Sequence, residues 1–272
     1  MYNILCIGCG FVKELFLVSN VDKFININNI NNVTENTKIN PKYKFIELNN
    51  KLFNDFSNII RENEITHIIN FLSNGIDNFN IVFNLLKECE KYKELKFIHV
   101  STDKILSDRM SDNRVNILSD NTSSLSSCIE LIVRTSILKP IIIRSCKLYH
   151  KNINNFITKF IDLLRQNKVL EIKGSGSDTL GLLHIKDFCY ALKLIIRQGE
   201  DNKVYDVCPD KLYTIVDIAR ELCYLFWKDD SSMRFKRQES EKLFRFALNN
   251  DSIKKIGWVQ NISLSEGLKK MI

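Results

Sequence analysis

The chain has 272 residues, 44% of them hydrophobic and 26% charged, enough apolar material for a large core and too much for a disordered chain. Nine glycines and three prolines exclude collagen-like or low-complexity architecture, and no apolar run approaches the roughly 18 residues of a membrane-spanning helix. The formal charge of +7 comes from interleaved basic and acidic residues, so even the densest basic stretch, Arg234-Phe235-Lys236-Arg237, reads as a solvated face and nucleic-acid binding is not expected.

Residues 2–7 are apolar and read as a buried strand, followed by the turn Gly8-Cys9-Gly10 and a helix over Phe11 to Val18. Phe24 to Ile27 is the second predicted strand, and the Asn-rich stretch from Asn26 to Asn36 reads as a loop. Tyr43 to Glu47 is the third strand, and Leu52, Phe56, Ile59 and Ile60 have helical spacing. His67 to Phe71 is the fourth strand, Ile81, Leu85 and Cys89 mark a helix face, and Lys96 to Val100 is the fifth strand. A helix is predicted from Leu125 to Leu138 and a sixth strand from Pro140 to Ile143. Strands alternating with helices imply crossovers and a mainly parallel sheet, and their apolar composition suits a sheet covered on both faces.

The rhythm changes after about residue 148. A helix from Phe156 to Arg165 precedes Val169 to Ile172 and the turn Lys173-Gly174-Ser175-Gly176-Ser177. Further helices are predicted from about Lys186 to Ile196 and from Thr214 to Phe226, with a strand from Lys203 to Val207 between them and a short amphipathic helix ending near Met271. The expectation is an α/β, Rossmann-like, doubly wound parallel sheet over residues 1–148 and a smaller substrate-type α/β cap over 149–272. The strand near 203–207 returns to the main sheet.

The eight cysteines are spread through apolar segments, and Met1 to Cys6 does not open like a secretory leader. Free buried thiols in a reducing, cytoplasmic setting are expected. Cys6-Ile7-Gly8-Cys9 is a single CxxC with no second pair, and the four histidines are scattered, so no metal site is expected.

Several segments carry a family resemblance. Phe97-Ile98-His99-Val100-Ser101-Thr102-Asp103 is similar to the strand-end motif of nucleotide-sugar 4,6-dehydratases and dehydrorhamnose reductases. Gly174-Ser175-Gly176-Ser177-Asp178-Thr179 with Leu183-His184-Ile185-Lys186-Asp187, then Val204 to Val207 and Tyr213-Thr214-Ile215, follow in family order. Lys254-Lys255-Ile256-Gly257-Trp258 and Ser263 to Leu268 resemble its C-terminal signature. The chain resembles the extended short-chain dehydrogenase/reductase superfamily, the NAD-dependent epimerases and dehydratases of sugar nucleotides, over nearly its whole length.

That resemblance implies NAD or NADP as cofactor and a nucleotide-sugar as ligand. Gly8 and Gly10 match the first two glycines of the dinucleotide turn, whose backbone N–H groups meet a pyrophosphate. Lys13 stands at the third, where it either reaches a phosphate or lies in solvent. The acid that holds the adenosine ribose is replaced by Asn28, and the adenine-side Asp by Asn49. On the substrate side the resemblance implies roles for Ser101, Ser177 and Arg245, while the arginine that binds the diphosphate is replaced by Leu180.

The catalytic pair of the family is Tyr-x-x-x-Lys on the helix after the fifth strand. Here that helix reads Thr122-Ser123-Ser124-Leu125-Ser126-Ser127-Cys128-Ile129-Glu130, and no tyrosine lies between Tyr92 and Tyr149. Thr102 and Asp103 match the substrate-bonding hydroxyl and the general acid, and Lys104 stands where the dehydratases have Glu. The expectation is a catalytically degenerate member acting as a binding or regulatory subunit, as a homodimer or with a protein partner. The alternative is a divergent active epimerase, 4,6-dehydratase or reductase with a substituted acid/base set of Thr102, Asp103 and Lys104.

Overall fold

The computed structural model describes residues 2–11, 14–15, 21–28, 41–47, 56–103, 105, 121–236 and 248–272, with backbone alone at 121–123. Seven strands form one sheet in the order β11-β6-β5-β4-β1-β2-β3. They are β1 (Asn3–Ile7), β2 (Lys23–Asn28), β3 (Tyr43–Glu47), β4 (His67–Asn70), β5 (Lys96–Thr102), β6 (Ile141–Ser145) and β11 (Val204–Val207). Every neighbouring pair runs parallel. The chain steps outward from β1 through β2 to β3, then returns to the other side of β1 as β4. Ligand clefts of such sheets open at this reversal, beyond the strands' carboxyl ends.

The reason for the parallel sheet is visible in burial. All five residues of β1 are buried, so the strand is apolar on both faces instead of alternating. Ile4 and Cys6 face one core, with Phe188, Leu192 and Ile195 of helix α5 (Ile185–Gln198). Leu5 and Ile7 face another, against α1 (Phe56–Glu62), α2 (Ile76–Cys89) and α3 (Asn121–Arg134). A third core gathers α4 (Phe156–Arg165), α6 (Ile215–Leu225) and α7 (Leu264–Lys269) into the cap. Short strand pairs complete it: β7 (Lys147–Tyr149) with β10 (Leu182–His184), β9 (Thr179–Leu180) with β12 (Tyr213–Thr214), and β8 (Leu170–Lys173) with β13 (Met233–Lys236).

The departures from expectation are local. The helix expected over 125–138 spans Asn121–Arg134. The Thr135 hydroxyl donates to the Leu131 carbonyl and Ser136 to that of Val133, which satisfies the last turn's acceptors and ends the helix there. The second strand, expected over 24–27 with Asn26 inside it, runs one residue further at each end, Lys23–Asn28, and the Asn26 amide donates to the Tyr43 hydroxyl of β3 at 3.3 Å. The basic stretch contributes the exposed strand β13, where Lys236 pairs with Glu171 at 2.7 Å. All eight cysteines are free, but Cys128 is exposed on α3 instead of buried. Of the helix expected at 11–18, only Phe11, Glu14 and Leu15 are among the described residues, as is none of the Asn-rich stretch beyond Asn28.

Candidate functional site

The glycine turn lies at the carboxyl end of β1. Gly8 has φ +75°, and a Cβ there would collide with the Leu72 side chain, so only glycine fits. Its N–H donates to the Ile27 carbonyl at 2.9 Å, and the Phe71 N–H donates to that of Ile7 at 2.9 Å. The turn is thus tied to β2 and to the end of β4. Gly10 is exposed, and a Cβ there would meet nothing within 4 Å. That leaves the open approach a diphosphate needs.

Asn28 is 7% exposed at the end of β2, and its amide donates to the Cys9 carbonyl at 2.8 Å. The residue standing in the place of the ribose-binding acid therefore holds the turn itself. Of a dinucleotide's parts, the diphosphate fits this turn, whereas at the end of β2 the ribose meets an amide already engaged with backbone in place of an acid. Lys13 and Asn49 lie outside the described residues, as do Lys104 and Arg245.

The other flank is built on β5. Ser101 and Asp103 are buried and Thr102 half-buried at its end. The Thr102 hydroxyl donates to Asp103 Oδ1 at 3.1 Å, and the Asp103 N–H donates to the Ser145 carbonyl of β6 at 3.0 Å. Ser101 Oγ is buried without a hydrogen-bond partner, and so is His99 Nε2 two residues earlier. The Asn70 amide donates to His99 Nδ1 at 2.9 Å, which places the ring proton on Nε2. Burial lowers the His99 pKa to about 4 against the opposing charge of Glu130, so the ring is neutral at pH 7.

Helix α3 closes this flank with Ser126, Ile129, Glu130 and Val133, all buried. Glu130 accepts two hydrogen bonds from Arg144 of β6, Nη2 to Oε1 at 2.7 Å and Nε to Oε2 at 3.3 Å. Arg144 is in register with Ser101 on one side and Asp206 of β11 on the other. Asp206 Oδ2 accepts from the Asn249 N–H at 3.2 Å, Oδ1 is buried without a partner, and burial raises the carboxyl's pKa. The sequence reading missed this Glu130–Arg144–Asp206 row. Its signal was there: three charges set inside otherwise apolar segments must find one another.

None of the eight tyrosines lies on α3. The Tyr92 hydroxyl donates to the Ser57 carbonyl, and Tyr92 lies just before β5 begins, at the edge opposite the cleft. Tyr149 is 1% exposed, packed on Gly267, and burial pushes its phenol pKa further up. Neither is a proton acceptor for a bound sugar.

The substrate-side candidates are dispersed. Ser177 is exposed, its hydroxyl 2.7 Å from that of Ser175. Leu180 is buried and brings no charge. His184 Nδ1 accepts the Lys186 N–H and caps α5. Asp187 accepts the Asn261 and Ile262 N–H groups at 3.1 and 3.0 Å, which anchors the C-terminal segment. The structure thus brings Gly8, Gly10 and Asn28 together at one side of the cleft and Ser101, Thr102 and Asp103 at the other.

Residues 12–208 match the model of the NAD dependent epimerase/dehydratase family. The trifunctional UDP-glucose 4,6-dehydratase/UDP-4-keto-6-deoxy-D-glucose 3,5-epimerase/UDP-4-keto-L-rhamnose-reductase of Arabidopsis thaliana is 30% identical over 75% of this chain and 34% of its own length. The dTDP-D-glucose 4,6-dehydratase of Dictyostelium discoideum is 27% identical over 95% of this chain and 74% of its own. The chain spans about a third to two fifths of the length of the plant relatives it matches. The dTDP-glucose 4,6-dehydratase of Bacillus anthracis, solved in complex with NAD, superimposes with a TM-score of 0.86 at 21% identity, covering 100% of this chain and 95% of that one.

Proposed function

Because the chain belongs to the NAD-dependent epimerase/dehydratase family, we propose that it is a catalytically degenerate member that binds a nucleotide-sugar and serves as a binding or regulatory subunit, alone as a homodimer or with a protein partner. One observation carries this reading: the helix that would present the proton acceptor has no tyrosine, and the tyrosines nearest to it in sequence are committed elsewhere. Hydride chemistry at a sugar carbon needs a base within about 3 Å of the hydroxyl and poised near neutral pH. The serine hydroxyls and the single exposed thiol of α3 supply no such pair.

The ligand class rests on the relatives, which act on UDP- or dTDP-glucose, and on the buried polar atoms left without partners at the ends of β5 and β11. Affinity for the dinucleotide is weak, since the ribose has lost its acid. Eight free cysteines support a reducing, cytoplasmic location.

Calorimetric titration with UDP-glucose, dTDP-glucose, NAD(H) and NADP(H) tests the binding. Nucleotide-sugar binding with weak or no dinucleotide binding is expected, and sub-micromolar affinity for either dinucleotide overturns the cofactor half. Incubation with the same sugars and their 4-keto products, followed by mass spectrometry, tests catalysis. Turnover above about 0.1 per second, against roughly 1–1000 per second for ordinary enzymes, overturns degeneracy. The second reading, an active epimerase, 4,6-dehydratase or reductase with substituted residues, draws on the Thr102–Asp103 hydrogen bond at the cleft. It requires that such turnover disappear in Asp103→Asn or Lys104→Ala.

A further inference from the structure

We propose that Asn28 is a brace that makes the glycine turn self-supporting and, by the same hydrogen bond, sets the cleft against dinucleotides. The inference rests on the reading above of a weakened cofactor side, and it names the residue responsible.

Three observations converge on this residue. Asn28 is 7% exposed, one residue past the last β1–β2 pair, Ile7 with Ile27, and in register with Glu47 of β3. Its Nδ2 donates to the Cys9 carbonyl at 2.8 Å, in the middle of the turn. The adjacent Ile27 carbonyl accepts the Gly8 N–H at 2.9 Å. The end of β2 therefore grips the turn at two consecutive residues. The side-chain grip needs an amide, because it carries a donor that a carboxylate lacks.

The same exchange removes what a dinucleotide would use. Anionic side chains at this position accept hydrogen bonds from the ribose hydroxyls, and charge assistance makes those bonds roughly twice as strong as neutral ones. Asn28 offers no charge, and one of its two N–H donors is taken by the Cys9 carbonyl.

The prediction is a trade between stability and affinity at one residue. Asn28→Asp places a carboxylate against the Cys9 carbonyl, so two acceptors face each other and the brace is lost. The ligand-free melting temperature should fall by about 2–4 °C. The new carboxylate accepts the ribose diol, so NAD affinity should rise about tenfold. NADP should not share the gain, because its 2′-phosphate meets the added charge. Asn28→Ala should melt lower without any gain in affinity.

Differential scanning fluorimetry gives the melting temperatures and calorimetry the affinities for NAD, NADP and UDP-glucose. A wild-type melting temperature in Asn28→Ala overturns the brace. Asn28→Asp that melts lower but binds NAD no better, or that gains NAD and NADP equally, overturns the discrimination. If Asn28→Asp folds only with ligand, millimolar NAD should restore its melting transition, and failure to do so overturns the proposal. UDP-glucose affinity should be unchanged in every variant. Absence of UDP-glucose binding in the wild type sinks the proposed function and leaves this inference standing.

Discussion

The two flanks of the cleft use polar groups in opposite ways. On the β1–β2 flank the chain spends its hydrogen bonds on itself: Asn28 holds Cys9 and Ile27 holds Gly8. On the β5–β6–β11 flank, Ser101 Oγ, His99 Nε2 and Asp206 Oδ1 are buried without partners, three of the four such side-chain atoms among the described residues, the fourth being Asn26 Oδ1 within β2. A buried polar atom without a partner costs about 1–3 kcal/mol, so a fold keeps several only where something else answers them. The comparison separates a flank closed for structure from one still open to a polar ligand.

The largest expected effect tests what holds the open flank together. Glu130→Ala strands Arg144, whose side chain is only 12% exposed, and breaking such a buried pair costs about 3–5 kcal/mol. Urea denaturation should show a matching fall in midpoint. A loss no larger than that of Asn28→Ala, about 1 kcal/mol for a neutral hydrogen bond, would erase the contrast between the flanks.

The next effect is a pH dependence. Burial lowers the folded pKa of His99 from 6.5 to about 4. The unfolded chain therefore takes up this proton first as pH falls. The group's stability contribution is complete above pH 6.5 and drains away between 6.5 and 4, about 3 kcal/mol in all. His67 and His184, also lowered to about 4 chiefly by burial, act in the same direction. His99→Gln should flatten the fall of stability with acid, read from denaturation midpoints at successive pH values. An unchanged slope would place the proton uptake elsewhere.

Smaller still is the cap's contribution. Asn155 caps α4 by accepting the Ile157 and Thr158 N–H groups at 2.9 and 3.2 Å, and Asn155→Ala should cost about 1 kcal/mol without changing nucleotide-sugar affinity. Smallest in stability but sharpest for the comparison is Ser101→Ala. Its hydroxyl bonds nothing in the chain, so stability should move by less than about 0.5 kcal/mol. UDP-glucose affinity should fall roughly fivefold, the worth of one hydrogen bond. Unaltered affinity would show that the orphaned hydroxyl does not face the ligand.

The sheet was legible because its strands are apolar on both faces, and β3 and α4 match their expected spans to the residue. The cap's short strands were harder. β13 alternates Met233 and Phe235 with Arg234 and Lys236 over only four, mostly exposed residues, too short a pattern to stand out before its pairing with β8 is seen. In the site, the run Ser101-Thr102-Asp103 was placed correctly at a strand end because motif and strand coincide. The Glu130–Arg144 pair was not, since its partners sit on a helix and on the following strand, and no spacing rule brings them together. The role of Asn28 was invisible for a related reason. Residue type alone shows a lost carboxylate, while only the folded chain brings the Cys9 carbonyl to the remaining amide.

β11 has a further consequence. It lies outermost in the sheet, drawn from residue 204 onward, and covers the hydrogen-bonding edge of β6. A fragment ending near residue 148 would bare Ile141-Ile142-Ile143 as an unpaired apolar edge, a template for strand addition between molecules. Such a fragment should aggregate unless the segment carrying α5 and β11 is supplied alongside it, so the chain's later half acts on the earlier one as a built-in guard against self-association.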